Sequence, residues 1–169
     1  MITYCRMEAK LIHGQTTTIL RSYHKCDGII LVDDITAADT SMKRIFAAAT
    51  PQGIKPYFFE MEKGIVQLRK AQESNLAYFA IFRNAIEVAR AIKLGYRFPL
   101  PITCGQQFVR QGTYNIMNGI GLTEEEVQAM EYIVSTGAEL IFDPSCKNEN
   151  IPWAEAKKLI DAARKKTAE

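Results

Sequence analysis

Short apolar runs separated by amphipathic stretches constrain the fold of this 169-residue chain more than any other feature. Several runs are apolar at successive positions, for example Ile29-Ile30-Leu31-Val32, instead of alternating with polar residues. Such runs are typical of strands in a parallel sheet that is covered on both faces. The pattern predicts six strands and a weaker seventh candidate near 114–117, the six being 2–7, 28–32, 55–59, 76–82, 100–104 and 140–142.

The amphipathic segments between these runs predict helices. Asn84 is a candidate N-cap, Thr123 to Glu126 has the sequence of a capping box, and Pro152 precedes the last helix. The predicted helices are 14–25, 37–49, 62–72, 84–94, 123–136 and 153–166. The alternation predicts an α/β fold, an open-twisted, mostly parallel, doubly wound sheet of about six or seven strands with helices on both faces. Because no linker divides the chain, we expect one domain, 1–169.

Composition narrows the classes of function. The net charge of +2 is too small to favour nucleic acid or an anionic membrane as a partner. No apolar run approaches a membrane span, and the N-terminus lacks a signal peptide, so a cytoplasmic protein is expected. Four scattered cysteines form no Cys-x-x-Cys pair, which argues against a zinc site or a disulfide framework. We expect no metal and no organic cofactor.

His13 is the strongest candidate for chemistry. It falls where the first strand ends and the first helix begins, a position at which helix amides hold phosphate. Imidazole titrates near neutrality and can accept a phosphoryl group, with Arg6 and Lys10 close by in sequence. The amides of Gly14 and Gln15, the hydroxyls of Thr16 to Thr18 and the Lys10 ammonium are candidate phosphate ligands. A structurally bonded loop histidine is the alternative interpretation.

Other polar residues follow the predicted strands or helices. Adjacent Asp33 and Asp34 suggest either a magnesium or receiver-type site or a plain strand end and N-cap, but a receiver's remaining residues are not found. His24 is expected at the C-terminal end of the first helix, and Trp153 is expected to anchor the last one. Arg83 and Gly105-Gln106 are expected at the carboxyl ends of strands, where ligand sites of such folds lie. Arg110 and Gln111 are expected either to reach a partner or to be simply exposed.

The segment from Arg6 to Gln15 (RMEAKLIHGQ) resembles the Arg-x-Asp-x-Arg-Leu-Ile-His-Gly-Gln motif of a transport family. That family comprises the enzyme IIB subunits of the mannose/fructose/sorbose class of bacterial sugar phosphotransferase systems. The likeness extends along nearly the whole chain. It includes the segments 30–39, 49–55, 103–105 and 122–126.

The resemblance implies a phosphoryl carrier. His13 would accept phosphate on Nδ1 from a phosphohistidine of a IIA protein or domain. It would then pass the phosphate to a sugar held by a IIC/IID membrane complex, at which the protein would be peripherally associated. By motif position Arg6 matches the first arginine, Glu8 the aspartate and Lys10 the second arginine, a phosphate ligand. The sugar and the oligomeric state, including a homo-oligomer, stay open.

Glu8 and Lys10 depart from the motif. Lysine offers a point charge in place of a planar bidentate fork, and glutamate is one methylene longer than aspartate. Both keep the charge, which predicts a working site with altered contacts. The alternative is a non-catalytic regulatory or binding paralogue with weakened transfer. Restoring Glu8→Asp and Lys10→Arg would speed a weakened transferase and leave a pure binding module unchanged.

Overall fold

The computed structural model describes residues 1–168, without the side chains of Gln15, Thr16, Thr167 and Ala168. The strands are β1 (Ile2–Met7), β2 (Gly28–Val32), β3 (Lys55–Phe59), β4 (Tyr78–Phe82), β5 (Ile102–Cys104), β6 (Tyr114–Met117), β7 (Ile120–Leu122), β8 (Leu140–Phe142) and β9 (Ile151–Pro152). The helices are α1 (Gly14–Tyr23), α2 (Asp34–Ala38), α3 (Thr40–Ala49), α4 (Met61–Gln72), α5 (Ala85–Lys93), α6 (Glu124–Ser135) and α7 (Trp153–Ala168).

Seven strands form one sheet in the order β3-β2-β4-β1-β5-β8-β9. All pairs are parallel except β8 with β9. The remaining two strands, β6 and β7, pair antiparallel as a separate hairpin. This arrangement confirms the predicted mostly parallel α/β sheet, and it places the ends of β1, β2, β4 and β5 along one carboxyl edge.

Both faces of the sheet are buried, which explains the unbroken apolar runs. In β2, Ile30 and Val32 pack into the cluster beneath α4, α5, α6 and α7, whereas Ile29 and Leu31 pack into the cluster beneath α1. Because successive side chains of a strand point to opposite faces, a strand covered on both sides needs apolar residues at every position. Leu20 of α1 is 2 % exposed within the second cluster.

Several predicted ends of helices and strands were wrong by a few residues. The helix predicted over 37–49 begins earlier and divides into α2 and α3 at Asp39, whose carboxylate caps α3 by accepting from the Ser41 and Met42 amides. Strands predicted from 76 and 100 begin at Tyr78 and Ile102, and α1 ends at Tyr23 instead of 25. The sequence Asn118-Gly119-Ile120-Gly121 predicts a turn, but only its first two residues form one, because Ile120 and Gly121 belong to β7.

Predicted helix starts with an explicit cap are confirmed. The Asn84 side chain accepts from the Glu87 amide at the start of α5, and Thr123 and Glu126 form a reciprocal capping box on α6. These side chains satisfy amides that the first helical turn leaves without partners. Among residues 1–168, no helix is long and apolar enough to cross a membrane.

Candidate functional site

The loop from Glu8 to His13 leaves the carboxyl end of β1 and delivers His13 to the start of α1. The amide of Leu11 donates to the Glu8 carbonyl oxygen at 2.9 Å, which closes a tight turn. Leu11 has a φ of 56°, a left-handed conformation that is unfavourable for a residue with a Cβ. Its side chain is 1 % exposed, so burial in the second cluster holds this turn in place. His13 consequently has a fixed position as the N-cap of α1.

Arg6 forms the buried foundation of the site. Arg6 and Glu8 are each 1 % exposed, and Glu8 Oε2 accepts from Arg6 Nε at 3.1 Å and from Nη2 at 2.9 Å. Arg6 Nη1 donates to the Tyr4 hydroxyl and to the Asp143 carbonyl oxygen, both at 3.1 Å, and Nη2 lies 3.3 Å from Cys146 Sγ. A buried guanidinium is tolerated only when its donors are used in this way.

Gly105 makes room for the Arg6 guanidinium. A Cβ built on Gly105 would lie 2.5 Å from Arg6 Nε, and still nearer to Arg6 Nη2 and Cζ, so no other residue fits here without displacing the arginine. The backbone amide of the next residue, Gln106, donates to Glu8 Oε2 at 3.3 Å. The turn after β5 is thus shaped around the buried Arg6–Glu8 pair, and sequence position alone had placed it only at the same edge.

Glu8 connects this buried pair to His13. Glu8 Oε1 lies 3.9 Å from His13 Nε2, and the His13 side chain is 29 % exposed. Burial alone would raise the pKa of Glu8, but the contacts with His13 and Arg6 outweigh it and hold that pKa below its usual range. An ionised Glu8 facing Nε2 favours a proton on Nε2, and the neutral ring then carries its lone pair on Nδ1.

The first turn of α1 begins beside the imidazole. The Thr17 amide donates to the His13 carbonyl oxygen, so the amides of Gly14, Gln15 and Thr16 are the ones that this turn directs outward. Thr17 is 1 % exposed, and its hydroxyl donates to the carbonyl oxygens of His13 and Gly14. The Thr17 hydroxyl therefore hydrogen-bonds to the backbone at the start of α1 instead of pointing to solvent as a phosphate ligand would. The predicted contributions of the Gln15 and Thr16 side chains lie outside what the structure describes.

Lys10 lies at the surface of the same loop. Its amide is 3.4 Å from Glu8 Oε1, and its side chain is exposed. Within residues 1–168 the Lys10 ammonium makes no ion pair. An exposed cation beside His13 suits an anionic group arriving from solvent better than it suits a structural role.

The two adjacent aspartates have structural partners. Asp33 caps α2 and receives two hydrogen bonds of 2.7 Å from Arg83. Asp34 accepts from the Met61 amide at 2.7 Å and pairs with Arg90. In the described part of the chain no three His, Cys, Asp or Glu side chains are grouped as a metal would require. Of the sequence interpretations, the N-cap is confirmed for Asp33.

The other predicted candidates have contacts that do not involve His13. His24 is the C-cap residue of α1, where its ring stacks on Tyr4 with centroids 4.6 Å apart and burial lowers its pKa. Trp153 stacks on Phe142, in keeping with the predicted anchor. Arg110 is exposed and pairs with Glu126 at 3.3 Å.

Sequence reasoning missed the residues that hold Arg6 from behind: the Tyr4 hydroxyl, the Asp143 carbonyl oxygen and the Cys146 thiol. Asp143 and Cys146 carry no local signal because they are 137 and 140 residues from Arg6. Tyr4 did carry one, since residues i and i+2 of a strand share a face.

Comparison with known proteins decides the family. Residues 2–169 match the model for the PTS system sorbose subfamily IIB component. The chain belongs to this family. It is a phosphoryl-transfer component of the bacterial sugar phosphotransferase system, as the motif around His13 predicted.

Curated relatives agree with this IIB assignment. The sorbose-specific EIIB component of Lacticaseibacillus casei is 29% identical over 140 residues, covering 83% of this chain and 85% of that protein. The mannose-specific EIIAB component of Escherichia coli K12 is 26% identical over 140 residues, covering 83% of this chain but only 43% of that protein.

Solved IIB structures share the fold. The IIBSor domain of the sorbose permease from Klebsiella pneumoniae superposes with a TM-score of 0.84 at 22% identity, covering 95% of this chain and 96% of that one. The N-acetylgalactosamine-specific IIB component 1 of Escherichia coli gives a TM-score of 0.82 at 20% identity, covering 89% and 98%.

Proposed function

We propose that His13 is the phosphoryl carrier of this IIB component. It accepts the group from a phosphohistidine of a IIA protein or domain and passes it to a sugar bound by a IIC/IID membrane complex. The observation that carries the proposal is the side of the ring that Glu8 faces. Because the ionised Glu8 faces Nε2 and favours a proton there, we assign the phosphoryl group to Nδ1.

Two displacements at phosphorus make up the reaction. In the first, a P–N bond forms at His13 Nδ1 as the P–N bond to the donor histidine breaks. In the second, a sugar hydroxyl attacks, its proton leaves, and the bond to His13 breaks as the P–O bond forms. Such transfers depend on in-line positioning and on stabilising the charge of the phosphoryl oxygens.

The surrounding residues supply that positioning and stabilisation. Glu8 holds the ring through Nε2 and stabilises the positive charge that grows on it as Nδ1 bonds phosphorus, and Arg6 keeps Glu8 ionised. The amides of Gly14, Gln15 and Thr16 at the positive end of α1, and the exposed Lys10 ammonium, surround the phosphoryl oxygens. Neither the reaction nor these residues require a metal or an organic cofactor.

Both partners are proposed to dock on the face around His13. Exposed apolar side chains lie along the carboxyl edge, with Ile35 after β2 and Phe108 and Val109 after β5, at 63 %, 50 % and 54 % exposure. Large apolar side chains exposed beside a reactive group are typical of a docking surface. We place the chain in the cytoplasm as one IIB domain, 1–169, that reaches the membrane only through IIC/IID. The EIIAB relative supports a IIA partner.

The test is phosphotransfer. The protein is incubated with phosphoenolpyruvate, enzyme I, HPr and a IIA domain of this family, and an acid-labile phosphoryl group is sought by mass spectrometry. His13→Ala should abolish the label. The only other histidine, His24, provides the matched control, and His24→Ala should still take the label. A label that persists in His13→Ala would overturn the proposal.

A non-catalytic regulatory paralogue is the second candidate, favoured by the departures at Glu8 and Lys10. The geometry weakens that case, because Glu8 contacts both Arg6 and His13 in spite of its extra methylene. The Glu8→Asp/Lys10→Arg double variant separates the two. A transferase slowed by these departures would gain rate in it, whereas a regulatory paralogue would gain none.

A further inference from the structure

The hydroxyl of Tyr4 lies at the far end of an unbroken series of contacts that reaches His13. We propose that Tyr4 is a positioning residue for phosphoryl transfer, which it serves by holding Arg6 so that Glu8 keeps the His13 ring oriented. This inference rests on the proposed role of His13. Neither the sequence motif nor the family match assigns Tyr4 a role.

The contact between Tyr4 and Arg6 follows from the geometry of β1. Tyr4 and Arg6 are two residues apart in β1, so their side chains project from the same face of the sheet. Arg6 Nη1 donates to the Tyr4 hydroxyl at 3.1 Å in a part of the molecule where Tyr4 is 8 % and Arg6 1 % exposed. Away from water, a lost acceptor is not replaced by solvent, so the Tyr4 hydroxyl matters to the guanidinium.

The Tyr4 ring is held in place by its neighbours. Its ring stacks on His24 with centroids 4.6 Å apart and contacts Phe79 at 5.4 Å. Thr103, on the neighbouring strand β5, lies close enough to influence the hydroxyl. The hydroxyl that accepts from Arg6 therefore has its direction fixed mainly by the ring contacts with His24, the C-cap of α1, and with Phe79 in β4.

Arg6 and Glu8 connect the position of the Tyr4 hydroxyl to the orientation of the His13 imidazole. With Nη1 held by Tyr4 and the Asp143 carbonyl oxygen, Arg6 directs Nε and Nη2 at the same oxygen, Glu8 Oε2. That leaves Oε1 towards His13 Nε2. If Arg6 turns, Glu8 loses the bonds that fix its carboxylate plane, and the ring loses its orienting contact.

Tyr4→Phe tests the proposal, because it removes the hydroxyl and keeps the stacked ring. Tyr96→Phe is the matched control: Tyr96 is 2 % exposed, and its hydroxyl accepts from Gln72 Nε2 at 3.1 Å. Tyr4→Phe should lower the rate of His13 phosphorylation at saturating IIA about three- to tenfold, the effect of losing one hydrogen bond of ordinary net strength. The KM for IIA should not change, because Tyr4 does not reach the docking face.

Two readouts separate positioning from general stability. In ¹⁵N spectra of the imidazole, Tyr4→Phe should lower the fraction of the tautomer protonated on Nε2, and Tyr96→Phe should not. In a Glu8→Gln background, Tyr4→Phe should have no further effect on rate, because residues that act in series are not additive. Thr103→Val, which removes the hydroxyl group that neighbours Tyr4 on β5, should shift rate and tautomer in the same direction by less, and it replaces Tyr4→Phe if that variant does not fold.

The proposal is overturned if Tyr4→Phe transfers phosphate at the wild-type rate with an unchanged tautomer. It is also overturned if Tyr96→Phe slows transfer equally, or if the Tyr4→Phe effect is undiminished in the Glu8→Gln background. Each of these results leaves wild-type labelling at His13 intact. Failure of the carrier role itself would instead show as wild-type protein that takes no label.

Discussion

At the scale of residues, the site depends on groups that never touch phosphate. The sequence motif supplied Arg6, Glu8, Lys10 and His13. What the motif does not contain is the space that Arg6 occupies, which exists only because Gly105 has no side chain. Such a close approach is a property of the folded chain and leaves no mark in local sequence pattern.

Gly105→Ala should therefore abolish most phosphoryl transfer. The added methyl group would displace the Arg6 guanidinium, and we expect destabilisation of about 1–3 kcal/mol from overpacking in a filled core. The measurements are His13 labelling and urea unfolding. As a control, Gly53→Ala has open space around the new Cβ but a φ of 87°, so it should lose about 1 kcal/mol of stability and keep its transfer rate. Equal activity in the two variants would contradict the steric account.

At the scale of elements, caps were predictable and the shortest elements were not. Asn84 and Thr123 carry their capping signal within three or four residues, and both helices begin where expected. The break between α2 and α3 was missed because Asp39 ends one helix and caps the next inside a continuous apolar pattern. The two-residue strand β9 exists only because β8 offers it an edge, so no local pattern marks it.

The Asp33–Arg83 pair ties the start of α2 to the end of β4, and its contribution should depend on pH. Burial raises the pKa of Asp33, but the hydrogen bonds from Arg83 and Thr36 outweigh this and place it below the ordinary value of 3.8. A depressed pKa means that the stabilisation is present above pH 3.8 and is lost as the pH falls below it.

Asp33→Asn should lower the free energy of unfolding at pH 7 by about 1–3 kcal/mol, because Arg83 is left without its carboxylate. Its unfolding free energy, measured in urea, should fall less steeply than that of the wild type below pH 3.8. Asp39→Asn is the comparison, since Asp39 accepts only from backbone amides and asparagine caps equally well. Parallel pH profiles for wild type and Asp33→Asn would refute the linkage.

At the scale of the whole molecule, the sheet order decides which side chains share the edge with His13. The alternation of runs predicted the parallel α/β sheet, and the position of the strand ends predicted the reactive edge. The order β3-β2-β4-β1-β5-β8-β9 follows from pairings between distant segments, so sequence could not show that Asp33 meets Arg83 or that Asp143 meets Arg6.

The exposed apolar residues at this edge should contribute to partner affinity. Phe108→Ala should raise the KM for IIA about fivefold, the effect of losing one moderately important contact, and leave the rate at saturating IIA unchanged. Leu76→Ala is the control, because Leu76 is 52 % exposed but precedes β4, at the opposite edge of the sheet. Phosphorylation rates measured against IIA concentration distinguish the two variants. A similar change in both would exclude a docking role for Phe108.

The contact between Arg6 and the Asp143 carbonyl oxygen spans 137 residues. During synthesis His13 leaves the ribosome well before the backbone that holds Arg6 in place. A nascent chain that has not yet released β8 presents the histidine without the Asp143 contact to Arg6 and with the β5 edge uncovered. Phosphorylation competence should therefore arise only after β8 has been released, so that shorter nascent chains do not compete with folded ones for phosphorylated IIA.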